Sequence, residues 1–272
     1  MKENGIGPSQ IIRRNQDGCL EYRRDELTVE EALEIRIGDK AVATTMRTPG
    51  HDEELAAGFL VSEAIVRPGD KIEKFSRPKI ARNRRNIVIV DLTRGTNVKP
   101  NPAQRFGTIS SSCGLCGKES IDAIRQTFAP IKANSCRIAI ATLLTLPDKL
   151  RANQSDFART GGIHAAGIFD ANGKALIVRE DIGRHNAVDK AIGRAFLDRK
   201  LPLDQDLLLV SGRASFEIVQ KALAAGLPIV TSVSAPSNLA VELARKNNQT
   251  LIGFLRPPSF NIYSHVERVI LD

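Results

Sequence analysis

The chain has 272 residues, 42% of them hydrophobic and 26% charged, an ordinary globular composition with room for one large domain or two unequal ones. Lysine and arginine number 39 against 31 acidic residues, a net charge of +8 that favours a polyanion, a phosphate-bearing ligand or an acidic protein as partner. Aromatic residues are only 4% with no tryptophan, which argues against a stacking platform for nucleic acid, and no apolar run has the length of a membrane span or a secretory leader. A cytoplasmic protein that engages neither nucleic acid nor membrane is therefore expected.

Residues 1–18 read as a polar, mobile tail. Ala32 to Ile37 alternates, Gly38-Asp39 turns, and Lys40 to Met46 returns, which predicts paired strands. Thr48-Pro-Gly50 breaks the pattern, and residues 51–65 read as a helix, with Leu55, Phe59, Leu60 and Ala64 at helical spacing. The basic cluster at residues 77–85 reads as a solvated loop before a strand at 87–90. Residues 97–101 read as a loop and 117–128 as a helix, with Ile121, Ile124 and Phe128 on one face. Cys136 falls in an apolar strand and reads as core; Cys19 carries no assigned role.

Beyond residue 140 the rhythm is regular. A helix is predicted over 146–157 with Pro147 in its first turn, then a strand over 163–169, a turn at Asp170-Ala-Asn-Gly173 and a return strand over 175–178. Helix 186–196, strand 207–210, helix 216–225, strand 228–233, helix 238–246 and strand 250–255 follow. Strands alternating with helices predict a largely parallel sheet covered on both faces, mixed because it opens on a hairpin. The fold class is thus α/β (α+β overall): a β-rich N-terminal domain over 19–140 and an α/β domain over 141–272.

The richest chemistry lies in Ser110-Ser-Ser-Cys-Gly-Leu-Cys-Gly117. Two cysteines at this spacing can share a metal, close a disulfide, staple a loop or relay a sulfur atom. The helix predicted after Cys116, with Lys118, favours thiolate over thiol. No second cysteine pair or histidine pair completes a structural zinc site, and no βαβ frame surrounds the motif as in thioredoxin-like proteins. His164, in Thr160-Gly-Gly-Ile-His-Ala-Ala-Gly167, lacks the catalytic glutamate of base deaminases, since Ala166 stands in its place; it reads equally as a strand histidine near a sheet end.

Three segments following strands form a further set: Ser211-Gly-Arg-Ala-Ser215, Ser234-Ala-Pro-Ser-Asn238 and Phe254-Leu-Arg-Pro-Pro-Ser259. Ligands of open α/β sheets collect beyond the carboxyl ends of the strands, two of the segments lead into helix N-termini that suit phosphate, and Arg213 and Arg256 add charge. Glu180-Asp-Ile-Gly-Arg-His-Asn186 is dense in polar groups; Asp181 and His185 are candidates for acid–base work or for a hydrogen-bonded turn.

Together with Thr48-Pro-Gly-His-Asp-Glu-Glu-Leu-Ala-Ala-Gly-Phe-Leu60, Arg179 to Lys190 and residues 254–265, these motifs resemble the formate dehydrogenase accessory sulfurtransferase family, FdhD, over roughly residues 20–270. The resemblance implies a sulfurtransferase that takes persulfide sulfur from a cysteine desulfurase. It delivers that sulfur to the bis-molybdopterin guanine dinucleotide cofactor, with molybdenum or tungsten, for formate dehydrogenase. It implies a homodimer and a cytidine-deaminase-like, three-layer α/β/α C-terminal domain. Carried over by position, Cys113 bears the persulfide and Cys116 relays it. Phe254, Leu255, Arg256, Pro257, Pro258 and Ser259 bind the cofactor as cargo, a GDP-like nucleotide serving as its mimic; the strand-end reading adds Arg213 to that site. The resemblance implies no resident metal. A cofactor-binding chaperone with a structural cysteine pair, or a zinc-binding module, is the alternative reading.

Overall fold

The computed structural model describes residues 5–67, 69–80, 84–93, 128–133 and 136–271. The segment with Cys113, Cys116 and Lys118, the loop at 97–101 and the helix expected after Cys116 lie outside the described residues.

The expected tail carries a strand instead. β1 (Ile6–Arg14) pairs antiparallel with β2 (Leu20–Thr28). β3 (Glu31–Ile37) and β4 (Lys40–Arg47) form the hairpin predicted around Gly38-Asp39. With β5 (Ile72–Ser76) and β6 (Ile87–Leu92) they build a four-stranded sheet in the order β4-β3-β6-β5. The intervening helix α1 (Asp52–Ser62) opens on Asp52, Glu53 and Glu54, acids that suit the positive end of the helix dipole.

After the short β7 (Ile138–Ala139) and α2 (Ile140–Leu143), the helix expected over 146–157 is two: α3 (Leu146–Ala152) and α4 (Ser155–Thr160). The break has a distant cause. Both Glu180 carboxylate oxygens accept from α4, Oε2 from the Asp156 N–H at 3.0 Å and Oε1 from the Phe157 N–H at 2.9 Å.

β8 (His164–Asp170) and β9 (Ala175–Asp181) form the second predicted hairpin, followed by α5 (Arg184–Leu197). Then come β10 (Asp206–Val210), α6 (Phe216–Ala224), β11 (Ile229–Ser232), α7 (Asn238–Lys246), β12 (Thr250–Arg256), β13 (Ser259–Ser264) and β14 (Val269–Ile270). The six-stranded sheet runs β13-β12-β11-β10-β8-β9. It is less parallel than expected: only β10–β11 and β11–β12 are parallel, because β8–β9 is a hairpin and β13 returns beside β12.

Alternation along each strand separates two cores. Leu208, Val210 and Val230 face α5, α6 and α7, whereas Leu207, Leu209 and Ile229 face α2, α3, Cys136 and Val269. The first core also takes in Leu33, Ile35, Val88 and Val90 of the four-stranded sheet and Leu55 and Leu60 of α1, so it spans both sides of residue 140. α1 and α5 touch backbone to backbone at two glycines. A Cβ on Gly58 would sit 1.8 Å from the Asp189 carbonyl oxygen, and one on Gly193 1.8 Å from that of Glu54.

Candidate functional site at the carboxyl edge of the six-stranded sheet

Parallel pairing of β10, β11 and β12 brings their carboxyl ends to one edge. β8 runs against β10, with Ala166 opposite Val210, so His164 at its start reaches the same edge, and Asp181 at the end of β9 pairs with His164. Segments 181–185, 211–215 and 233–237 therefore meet where ligands of open α/β sheets collect. Backbone bonds tie them together. The Ser237 N–H donates to the Ala214 carbonyl at 3.1 Å and the Phe254 N–H to the Ser234 carbonyl at 3.0 Å. The Ser232 hydroxyl lies 2.7 Å from the Gly212 carbonyl.

The expected cofactor-binding residues lie at this edge in different states. Arg213 is exposed. Residues 254–259 are a strand end and tight hairpin, with Arg256 paired to Ser259 across Pro257-Pro258. Phe254 has φ of 52° and is 39% exposed, an uncommon backbone state for a bulky residue. Leu255 is fully buried in the second core, so its side chain packs rather than meeting a ligand. The Arg256 Nε donates to the Val233 carbonyl at 2.9 Å, while Pro257, Pro258 and Ser259 are exposed.

Of the acid–base candidates, Asp181 is fully buried and saturated. It accepts from the Thr48 N–H at 3.1 Å, the Gly183 N–H at 2.8 Å and Asn186 Nδ2 at 3.0 Å, and pairs with Lys190 at 2.7 Å. That is a structural turn holding the Thr48 loop against α5. His185 is different. Its Nε2 lies 3.0 Å from Ser215 Oγ and 2.8 Å from Glu217 Oε2. The hydrogen bond from His185 holds the Glu217 carboxyl below its ordinary value against the effect of burial. His164 lies against Gly212, where a Cβ would come within 3.2 Å of Nδ1. Burial, then the nearby Arg184 and His185, push its imidazole down, toward the neutral form.

Arg184 was not singled out by sequence and belongs to the site. Its side chain passes Gly212, and its buried Nε has no hydrogen-bond partner among the described residues. Its only sequence signal is membership of the polar stretch 180–186; the β8–β10 register brings it to the edge.

One turn behind His185 and Glu217 stands a buried pair. Lys221 Nζ lies 2.8 Å and 3.0 Å from the Asp189 carboxylate oxygens and 2.9 Å from Ser62 Oγ, with Glu63 at 3.8 Å. Burial opposes the Lys221 charge, but Asp189 and Glu63 outweigh it and raise its pKa. Other charged residues near α1 also pair internally. Arg47 grips Asp52 at 2.9 Å and 3.1 Å, and Arg179 grips Glu54 at 2.5 Å and 2.9 Å.

Comparison with known proteins fits this arrangement. A sulfur carrier protein FdhD from Streptomyces coelicolor is 48% identical over 266 residues, covering 96% of this chain and 94% of that protein. One of the same name from Thermoplasma volcanium is 42% identical and covers 98% of each chain. A crystal structure of a candidate formate dehydrogenase accessory protein from Desulfotalea psychrophila superposes with a TM-score of 0.77 at 22% identity, covering 98% of this chain and 100% of that one. The model of the FdhD/NarQ family matches residues 28–270, and the chain belongs to that family.

Proposed function

We propose that this protein is a sulfur carrier serving formate dehydrogenase. It accepts persulfide sulfur from a cysteine desulfurase and passes it to a bis-molybdopterin guanine dinucleotide cofactor held as cargo. The observation that carries the reading is the near-full-length match to proteins named as sulfur carriers.

The described cysteines support an assignment to Cys113 and Cys116. A sulfur carrier needs an accessible thiolate. Cys136 is 2% exposed, and burial, helped by Asp206, pushes its thiol up to about 12. Cys19 is exposed in the turn between β1 and β2, on the two-stranded sheet rather than the six-stranded one. The cation-lined edge supports an anionic cargo. On this reading Arg213, Arg256 and the exposed Phe254 meet the nucleotide portion, and the protein works as a cytoplasmic homodimer.

The test is sulfur-35 labelling from cysteine through a desulfurase. Wild type and Cys136→Ala are expected to take label and to activate formate dehydrogenase; Cys113→Ala loses both, and Cys116→Ala is impaired. Label at wild-type level on the Cys113→Ala, Cys116→Ala double variant would refute the assignment.

A further inference from the structure

Basic and imidazole side chains gather around the loop at 211–215. Arg184 passes Gly212, His164 lies against the same residue, His185 touches Ser215, and Arg213 stands exposed within the loop. Glu217 is the acid in direct contact with any of them, and it contacts His185 alone. Elsewhere the buried cations have a carboxylate: Arg47 has Asp52, Lys190 has Asp181 and Lys221 has Asp189. Arg184 instead keeps a buried Nε with no partner among the described residues. An unpaired buried donor on a charged group is costly. An anion beside the guanidinium would offset that cost, and a guanidinium fork matches the oxygens of a phosphate.

We propose that Arg184 and His185 together seat the phosphate or pyrophosphate group of the ligand that enters this edge. The proposal rests on the reading above that an anionic nucleotide-bearing cargo binds here. Glu217, 2.8 Å from His185 Nε2, holds the ring in place.

Calorimetry with inorganic pyrophosphate and with GDP, at constant pH and ionic strength, reads the proposal directly. Arg184→Gln is expected to weaken both ligands about tenfold or more, with partial recovery in Arg184→Lys. His185→Gln is expected to weaken both ligands by a smaller factor. Guanosine, which has no phosphate, responds to none of these changes. Equal pyrophosphate affinity in wild type and Arg184→Gln would overturn the seat, as would no binding of either anion to wild type. Sulfur loading needs no anion at this edge, so labelling of Cys113 separates failure of the seat from failure of the sulfur-carrier reading.

Discussion

Two groups of basic residues, drawn partly from the same stretch of sequence, are treated in opposite ways by the fold. Between α1 and α5, Arg47, Arg179 and Lys190 are each matched to a carboxylate, with side-chain exposures of 0%, 19% and 1%. At the carboxyl edge, Arg184, five residues after Arg179, and the exposed Arg213 have no ion pair among the described residues. Of these pairs Arg179–Glu54 crosses from the six-stranded sheet to α1, and Lys190 crosses too by donating to the Thr48 carbonyl. The unpaired set faces the loops that end the parallel strands. A motif rich in charge is therefore not by itself a site: the register of β8 and β9 decides which of its residues pack and which remain for a ligand.

The interface breaks most readily at its closest approach. Gly193→Ala forces a methyl group against the backbone of α1, and no rotamer relieves a contact of 1.8 Å to the Glu54 carbonyl. A loss above about 4 kcal/mol is expected in urea unfolding, with Gly58→Ala equally severe. Next comes Lys221→Met, which leaves Asp189 buried beside Glu63 without its counter-ion. The expected cost is about 3–5 kcal/mol, and adding Asp189→Leu should recover part of it, since the buried charge is then removed as well. Full additivity of the two substitutions would deny that they act as a pair.

Acid loosens the same interface by a defined route. Burial disfavours the charged form of Glu54, but its hydrogen bonds to Arg179 prevail and hold the carboxyl at about 2 against an ordinary 4.5. A depressed carboxyl stabilises the fold above its unfolded value. That contribution, about 3 kcal/mol at most, fades as pH falls from about 4.5 towards about 2. Unfolding free energies measured across that window should decline more steeply in wild type than in Glu54→Gln; parallel curves would remove Glu54 from the account.

Local pattern made most of the elements legible. The hairpin turning at Gly38-Asp39, the one turning at residues 170–173, and the alternation of β10, α6, β11 and α7 all follow from periodicity and turn residues. What was hidden depends on distant partners. The break between α3 and α4 is held by Glu180, more than twenty residues on, and β1 is a strand because residues 20–28 lie beside it. Residues 254–259 read as a binding loop because they follow the strand expected over 250–255, yet β13 resumes at Ser259 and Leu255 turns into the core. Asp181 and His185 stood equal as acid–base candidates. Only the folded neighbourhood shows one saturated and the other at the edge, and brings in Arg184.

The smallest expected effect is the sharpest test of the comparison, because it sets two serines in matching places against each other. Ser215 and Ser237 each precede a helix that follows a parallel strand. The Ser237 hydroxyl accepts from the Ala240 N–H at 3.2 Å and caps α7. The Ser215 hydroxyl makes no cap bond and turns to His185 instead. Ser237→Ala should cost about 1 kcal/mol, the ordinary value of a lost cap. Ser215→Ala should cost under about 0.5 kcal/mol, since no helix donor loses its partner and Glu217 still holds the His185 ring. Its effect should appear in the affinity for pyrophosphate, because it removes one of the two contacts that hold His185 Nε2. Equal stability losses in the two variants would mean that Ser215 is a cap like its counterpart, and the distinction between a structural edge and a working one would fail at that loop.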